Sequence, residues 1–258
     1  MHNAAFRKLL LDFIYVPFDV RPENLEAAVN GIRALGMVGV NVTIPHKERI
    51  IGFIDWVSED ARRIGSVNTV HNVEGILKGY STDGPGFIRA LEAAGKSPNG
   101  SRAVVLGAGG TARATIYALV TGGATVTVAN RTYSRAVELS ESLNAVIGCE
   151  KTVPVELENA REAILDADLL VNCTSVGMYP HVDTQPIPSE WLHPKLFVYD
   201  QIYNPLETRL LAAAKSIGAR AANGAGMLVY QGAISFEIWT GQSPSIDVME
   251  AEVLACLD

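Results

Sequence analysis

The spacing of apolar residues changes its period in the first third of the chain. Apolar positions three or four residues apart predict helices over residues 4–13 and from Pro22 to Gly36. Runs rich in valine, isoleucine and aromatic residues predict strands over residues 13–20 and 38–44. The stretch SVNTVHNVEGILKGY, residues 66–80, predicts a β-hairpin.

From Asp83 onward the two periods alternate regularly. Helices are predicted in GFIRALEAAG, TARATIYALVTGG, YSRAVELSESLN and ETRLLAAAKSIG, and strands in RAVVLG, TVTVANR, DLLVNCT and LFVYDQI. Two further helical stretches, MLVYQGAISFEIWTG and IDVMEAEVLACL, complete the chain. Alternation of this kind predicts an α/β fold, with a parallel sheet covered by helices on both faces.

The alternation of predicted helices and strands changes near Thr82–Gly84 and again near Asn223–Gly226. We therefore predict two domains, one of which is discontinuous. Residues 1–82 with 224–258 form an N-terminal α/β domain closed by the C-terminal helices, and residues 83–223 form the second domain.

Composition narrows the class of protein. Hydrophobic residues make up 48% and charged residues 19% of 258, which is typical of a soluble globular protein. The net charge of −7 argues against a nucleic-acid groove or an anionic membrane surface as the main partner. We also expect no membrane span and no signal peptide. Three cysteines without metal-like or disulfide-like spacing fit a reducing cytoplasm, and no metal site is indicated.

A glycine-rich loop follows the first strand of the second predicted domain. Strand RAVVL runs into Gly107-Ala108-Gly109-Gly110-Thr111-Ala112, and a helix comes next. Strand, glycine loop and helix together form the context of a dinucleotide fingerprint, in which a helix N-terminus faces a pyrophosphate. Glycine turns also end strands with no ligand, but this context favours a Rossmann-like nucleotide site.

The end of the next strand bears on which nucleotide is bound. TVTVANRT ends in Asn130-Arg131-Thr132, and Arg135 follows one turn later. An NAD site usually has an acid at this strand end for the ribose hydroxyl, and none is present here. Arginines suit a 2′-phosphate through charge-assisted hydrogen bonds. The alternative is that both arginines are solvated residues at a helix start, but we favour NADP over NAD.

The stretch VNVTIPHKERI, residues 40–50, places a lysine just past a strand and a rigid proline. A lysine at such a position is most often a solvated surface charge, so Lys47 alone is weak support for catalysis. Asp83 can equally be the N-cap of the following helix, and Asn68 can cap a turn. From spacing alone these alternatives stay open.

Taken together, the motifs occur in an order that resembles the shikimate dehydrogenase family over nearly the whole chain. The segments that carry the resemblance are Asn41–Lys47, Gly65–Thr69, Thr82–Gly84, the glycine loop, Asn130–Thr132, Asn172–Met178, Tyr203–Pro205 and Asn223–Gln231.

The resemblance implies a reaction and its residues. It implies reversible NADPH-dependent reduction of 3-dehydroshikimate to shikimate, in the synthesis of chorismate and aromatic amino acids. Lys47 is then the proton donor and acceptor, and Asp83 its partner. Substrate contacts would come from Thr43, Asn68, Tyr203 and Gln231 in addition to this pair. The cofactor-binding residues would be Gly107, Ala108, Gly109, Gly110, Thr111, Asn130, Arg131, Thr132, Arg135, Gln201 through its backbone, and Gly224.

The chain departs from the family pattern at its start. Members normally begin with a strand and a Ser-x-Ser segment that grips the substrate carboxylate, ahead of a helix like HNAAF. Here Met1 lies inside that helix, so we expect the substrate-binding domain to lack its first strand. If the chain begins at Met1, we expect weak substrate affinity with NADP binding preserved. Michaelis constants measured with an upstream strand restored would test this, and an unchanged substrate affinity would contradict it.

Two other functions stay open beside the leading one. One is a quinate/shikimate dehydrogenase that uses NAD, and the other is a non-catalytic shikimate- or NADP-binding module of the same fold. Retention of both Lys47 and Asp83 favours an enzyme, since a pure binder has no need of a proton-transfer pair. The sequence leaves the oligomeric state undecided, a homodimer included.

Overall fold

The chain divides into two compact units in the computed structural model, which describes residues 1–257. The first unit is Met1–Gly86 with Val229–Val253. The second is Phe87–Leu228 with the C-terminal residues from Leu254. No helix in this described part of the chain is long and apolar enough to cross a membrane.

Helices and strands alternate as the α/β prediction requires. The helices are α1 His2–Lys8, α2 Leu25–Ala34, α3 Glu59–Ile64, α4 Asp83–Ala93, α5 Gly110–Thr121, α6 Tyr133–Ile147, α7 Arg161–Leu165, α8 Arg209–Ser216, α9 Ala225–Thr240 and α10 Ile246–Leu254. The strands are β1 Gly39–Asn41, β2 Trp56–Val57, β3 Thr69–Val73, β4 Ile76–Tyr80, β5 Arg102–Leu106, β6 Thr125–Asn130, β7 Thr152–Glu156, β8 Leu169–Asn172, β9 Phe197–Asp200 and β10 Arg220–Ala222.

A small mixed sheet forms the first unit. Within residues 1–257 its strand order is β1-β3-β4-β2, with β2 parallel to β4 and the other pairs antiparallel. Helix α2 packs Leu25, Val29 and Ile32 into the core that also contains Val70 and Leu77 of the sheet. These three positions follow the helical period, so one face of α2 is buried, and each side chain contributes about 1.5–3 kcal/mol by leaving water.

The predicted hairpin is confirmed. Strands β3 and β4 pair antiparallel, with Val73 opposite Ile76. The two residues between them, Glu74 and Gly75, have φ angles of 53° and 88°. Positive φ at both central positions is the geometry of a type I′ turn, whose twist matches that of the paired strands.

The prediction of a strand over residues 13–20 is wrong. No strand pairs with this segment anywhere in residues 1–257, and it has no regular secondary structure. Its backbone hydrogen bonds are not to another strand. Tyr15 N donates to Asn3 Oδ1 at 2.7 Å, and the Tyr15 carbonyl accepts from Asn3 Nδ2 at 2.9 Å. Phe13 N donates to the Leu11 carbonyl at 2.9 Å, and the Val20 carbonyl lies 2.8 Å from His46 Nε2. A strand needs a neighbour for its backbone groups, and apolar composition alone does not supply one.

Two other elements are shorter than predicted. Helix α1 ends at Lys8 rather than at residue 13, since Leu10 has a φ of 55°, which is outside the helical region. Strand β1 spans Gly39–Asn41 rather than residues 38–44. The chain turns immediately after it, and this turn carries Lys47.

A parallel sheet forms the second unit. In the described chain its order is β10-β9-β8-β5-β6-β7, and every neighbouring pair is parallel. Helices cover both faces: Val198 packs with Leu210 and Leu211 of α8, while the ring of Tyr199 meets Phe87 of α4 edge-on at 5.1 Å. The prediction of a doubly covered parallel sheet is confirmed.

The sequence patterns missed β7 and β10, the two edge strands of this sheet. Strand β7 carries Pro154 and has only one buried residue, Thr152. Edge strands tolerate proline and lack the continuous apolar run of a central strand, so their pattern is weak.

Gly39 lies where a side chain cannot fit. A Cβ at this position would be 2.3 Å from Trp239 Nε1 and 2.5 Å from the Val70 carbonyl oxygen, which accepts the Trp239 indole hydrogen bond. We expect Gly39→Ala to lower the free energy of unfolding by about 1–3 kcal/mol, the usual effect of overpacking. Urea unfolding measures this change.

Gly31 of α2 offers the matched control, since a Cβ there would meet nothing within 4 Å. Gly31→Ala should raise the free energy of unfolding by about 0.5–1 kcal/mol, because alanine is the better helix former. Equal effects of the two substitutions would contradict the packing described at Gly39.

Candidate active site

A lysine and an aspartate form a partly buried ion pair in the first unit. Lys47 Nζ donates to Asp83 Oδ2 at 2.7 Å, and the two side chains are only 19% and 10% exposed. Lys47 lies in the turn after β1, and Asp83 is the first residue of α4. A carboxylate in the first turn of a helix interacts favourably with the helix dipole. The pair is therefore an ordered, partly desolvated charge pair rather than a mobile surface contact.

The second oxygen of the same carboxylate is held by an amide. Asn68 Nδ2 donates to Asp83 Oδ1 at 2.9 Å, and Asn68 is 3% exposed. The Thr82 backbone N–H donates to Asn68 Oδ1 at 2.7 Å. Both oxygens of Asp83 thus have donors, which fixes the plane of the carboxylate.

Gln231 reaches the same cluster from α9. Its Oε1 lies 3.3 Å from Asn68 Nδ2. The backbones of α4 and α9 approach closely at this point. A Cβ added at Gly86 would be only 2.6 Å from the Gln231 backbone nitrogen. Four of the sequence-predicted residues, Lys47, Asp83, Asn68 and Gln231, are brought together within one unit.

The other two predicted substrate residues lie outside this cluster. Thr43 is exposed in the turn that leads to Lys47, and its carbonyl accepts from His46 N at 2.9 Å. Tyr203 belongs to the second unit and is 42% exposed. A substrate contact for either side chain stays a prediction.

The glycine loop of the second unit leads into the N-terminus of α5. Gly107 has a φ of 105°, a conformation that favours glycine, and Gly109 is the N-cap of the helix. Gly109 and Gly110 are exposed, and a Cβ at Gly109 would meet nothing within 4 Å. Glycine brings no capping side chain to the first backbone N–H groups of the helix, so this end suits a pyrophosphate.

The carboxyl end of β6 carries cationic groups and no acid. Asn130 Nδ2 donates to the Thr132 carbonyl at 2.8 Å, which shapes the turn into α6. Arg131 and Arg135 are both exposed. An amide followed by guanidinium groups at this strand end suits a phosphorylated ribose better than a free 2′-hydroxyl.

Gly224 and Gln201 meet at the carboxyl end of β9. A Cβ at Gly224 would be 2.0 Å from the Gln201 carbonyl oxygen, so only glycine fits. The Gln201 side chain turns toward α5, where its Nε2 donates to Thr115 Oγ1 at 2.7 Å. This orientation leaves the backbone rather than the side chain as the expected cofactor contact at Gln201.

The sequence reasoning missed a buried acid at the same edge of the sheet. Asp200 accepts from Thr208 Oγ1 at 2.6 Å and from Asn172 Nδ2 at 3.0 Å. Asn172 Oδ1 in turn accepts from Thr174 Oγ1 at 2.7 Å, so the acid ties together the loops after β8 and β9. Burial raises the pKa of the Asp200 carboxyl, and the bonds from Thr208, the Ile202 N–H and Asn172 oppose the rise. An aspartate directly after the apolar run LFVY is the pattern that could have found it.

The glycine loop, the helix N-terminus behind it and the arginines after β6 fit a dinucleotide. In the part of the chain that the structure describes, no group of three or more His, Cys, Asp or Glu side chains could hold a metal ion. A parallel sheet, a glycine loop at a helix N-terminus and a lysine–carboxylate pair together are typical of the nucleotide-linked α/β oxidoreductases.

Comparison with known proteins narrows this class. The profile described as "Shikimate dehydrogenase substrate binding domain" matches residues 1–70, "Shikimate / quinate 5-dehydrogenase" matches 90–182, and "Shikimate 5'-dehydrogenase C-terminal domain" matches 224–254. The chain is 49% identical over 253 residues to "Shikimate dehydrogenase (NADP(+))" of Moorella thermoacetica, which covers 97% of this chain and 85% of that protein.

Solved structures agree with these matches. A shikimate dehydrogenase crystallised with NADP⁺ superposes with a TM-score of 0.95 at 40% identity, over 100% of this chain and 90% of that one. The enzyme of Thermus thermophilus, in complex with NADP(H) and shikimate, superposes with a TM-score of 0.90 at 40% identity, over 99% and 93% of the two chains. The chain belongs to the shikimate dehydrogenase family.

Proposed function

We propose that the chain is an NADP-dependent shikimate dehydrogenase, which reversibly reduces 3-dehydroshikimate to shikimate. The observation that carries the proposal is the hydrogen bond from Lys47 to Asp83. Reduction of a ketone to a secondary alcohol needs one hydride at carbon and one proton at oxygen, and the paired lysine is a group that can handle the proton. Relatives about half identical to this chain, named as NADP(+)-linked shikimate dehydrogenases, support the same activity.

Lys47 acts on the substrate oxygen. In the direction of reduction its ammonium group gives a proton to the ketone oxygen of 3-dehydroshikimate, and in the direction of oxidation the neutral amine takes the hydroxyl proton of shikimate. NADPH, when bound, supplies the hydride that the carbonyl carbon receives. The overall reduction consumes one NADPH and one proton for each ketone.

Asp83 keeps the lysine in place. A free lysine side chain samples many rotamers, and the 2.7 Å hydrogen bond to Asp83 Oδ2 restricts Nζ to one position. One N–H of the ammonium group is used in this bond, which leaves two for the substrate. Because Asn68 holds Oδ1, the carboxylate cannot rotate away from the lysine without losing a second hydrogen bond.

The remaining polar side chains suit a ligand with several hydroxyl groups and a carboxylate. We assign Thr43, Asn68, Tyr203 and Gln231 as further contacts to the substrate, in addition to Lys47 and Asp83. Hydroxyl and amide groups can both donate and accept hydrogen bonds, as a polyhydroxylated ring requires.

NADP binds through the second unit. The glycine loop from Gly107 to Thr111 would hold the pyrophosphate, and Asn130, Arg131, Thr132 and Arg135 would hold the 2′-phosphate of the adenosine. Gln201, through its backbone, and Gly224 would contact the nicotinamide end.

Replacing Lys47 tests the chemical step. Lys47→Ala should lower kcat by about 10²–10⁴-fold, the usual contribution of general acid–base catalysis. The Kd for NADPH, measured by fluorescence, should stay unchanged, because the cofactor residues are on the other unit. Lys8→Ala, at an exposed lysine of the first unit, is the control and should keep full activity. A Lys47→Ala enzyme with nearly normal kcat would overturn the role of Lys47, and an inactive native chain would overturn the function itself.

Replacing Arg131 tests the choice of cofactor. Arg131→Ala should raise the KM for NADPH by roughly 10–100-fold, since a charge-assisted hydrogen bond contributes about 1.5–3 kcal/mol. The KM for NADH should change little, because NADH has no 2′-phosphate. Arg161→Ala, at an exposed arginine of the same unit, is the matched control. If the native chain preferred NADH, the NAD-linked quinate/shikimate alternative would replace this assignment.

A further inference from the structure

Three buried hydroxyl groups lie behind Asn68 in the first unit, and the proposed reaction makes no use of them. They belong to Thr69, Thr82 and Ser235, which are 0%, 1% and 0% exposed. Thr69 Oγ1 is 2.7 Å from Ser235 Oγ, and Thr82 Oγ1 is 3.4 Å from each of the other two oxygens. We call these three side chains the hydroxyl cluster.

The hydroxyl cluster lies in the buried interior, where apolar side chains would need no hydrogen-bond partners. Helix α9 is largely apolar, and an alanine at position 235 would fill nearly the same volume as serine. A buried hydroxyl is costly unless it is hydrogen-bonded. Ser235 meets this requirement by donating to the Gln231 carbonyl at 3.0 Å and accepting from Asn41 Nδ2 at 3.0 Å. The serine therefore joins α9, which carries Gln231, to strands β1 and β3.

Thr82 contacts both the oxygen and the nitrogen of the Asn68 side-chain amide. Its backbone N–H, which can only donate, meets Asn68 Oδ1 at 2.7 Å. Its hydroxyl oxygen lies 2.9 Å from Asn68 Nδ2. The first contact determines which end of the amide is the oxygen, and the second fixes the plane in which the amide lies. With the amide held this way, Nδ2 faces Asp83 Oδ1.

We propose that the hydroxyl cluster positions Asn68 against Asp83, and thereby sets the orientation of the carboxylate that holds Lys47. Thr82 is the positioning residue in contact with Asn68. Ser235 of α9 and Thr69 of β3 pack beside the Thr82 hydroxyl, each with its oxygen 3.4 Å from Thr82 Oγ1. This inference rests on the proposed function, because it assigns the cluster a part in the proton-transfer step.

The cluster predicts a specific kinetic pattern. Without the Thr82 hydroxyl, the Asn68 amide keeps its backbone donor but can tilt, so Asp83 loses a well-aligned bond and Lys47 is less often in the productive position. The chemical step slows, whereas cofactor binding by the second unit is unaffected. A residue that served stability alone would change the folded fraction and not the kcat of the folded enzyme.

The experiment is a double-mutant cycle on the full chain. Thr82→Val removes the hydroxyl at nearly constant shape, and Thr82→Ser retains it. We expect Thr82→Val to lower kcat for 3-dehydroshikimate reduction by about 5–20-fold with an unchanged KM for NADPH, and Thr82→Ser to recover most of that loss. Because Thr82 acts through Asn68, adding Thr82→Val to Asn68→Ala should lower kcat no further than Asn68→Ala alone.

Two outcomes would overturn the inference. One is a Thr82→Val enzyme with a normal kcat, and the other is an equal fold reduction of kcat by Thr82→Val in the native and the Asn68→Ala backgrounds. If Thr82→Val does not fold, Ser235→Ala gives the same cycle, with an expected loss of about 3–10-fold in the native background and none in the Asn68→Ala background. A native chain that binds NADPH but does not reduce 3-dehydroshikimate would instead overturn the proposed function, so the two failures are distinguishable.

Discussion

A carboxylate that is largely removed from water needs a hydrogen-bond donor for each of its oxygens, and the polar residues of the first unit meet this requirement. Asp83 meets it with Lys47 on one oxygen and Asn68 on the other. An unpartnered buried charge costs far more than a hydrogen bond returns, so the donors and their own supports must all be in place. The donors and their supports come from four places in the unit: the turn after β1, the residue just before β3, the start of α4 and one face of α9.

The second unit repeats the arrangement at a different place and for a different purpose. Asp200 is fully buried and takes donors from Asn172 and Thr208. In both units an asparagine Nδ2 donates to the buried acid, and a threonine backbone N–H fixes the asparagine Oδ1: Thr82 N for Asn68 and Thr174 N for Asn172. In the first unit this device holds a lysine, and in the second it holds the loops at the carboxyl edge of the parallel sheet. In both units the amide-to-acid hydrogen bond supplies a donor to a carboxyl group that packing has removed from water.

Glycine is required where the backbone itself makes the site. At Gly107 the φ angle excludes most residues, and at Gly224 the Gln201 carbonyl occupies the place of a side chain. At Gly109 there is open space instead, so its role is to leave the first N–H groups of α5 accessible. We therefore expect recognition of a phosphorylated nucleotide by this unit to depend on backbone approach first and on the exposed arginines second.

The sequence by itself determined the elements whose signal is local. The hairpin follows from Glu74-Gly75 between two β-rich runs, and the parallel sheet follows from strands that alternate with helices. The glycine loop could also be placed, because strand, turn and helix are adjacent in the chain. Local pattern was insufficient where an element depends on a neighbour. Residues 13–20 have the composition of a strand but no partner strand in the described chain, while Thr152–Glu156 pairs with β6 despite its proline.

Only the tertiary structure decided which polar residues act together. Asn68 and Gln231 are 163 residues apart in the chain, and Thr69 and Ser235 are 166 apart. A serine inside an apolar helix carries no sign of its role until the helix packs and its hydroxyl meets the groups of two strands. The physical reason is that hydrogen bonds between distant side chains form only after hydrophobic packing has set the positions of the backbones, and no local spacing encodes that meeting.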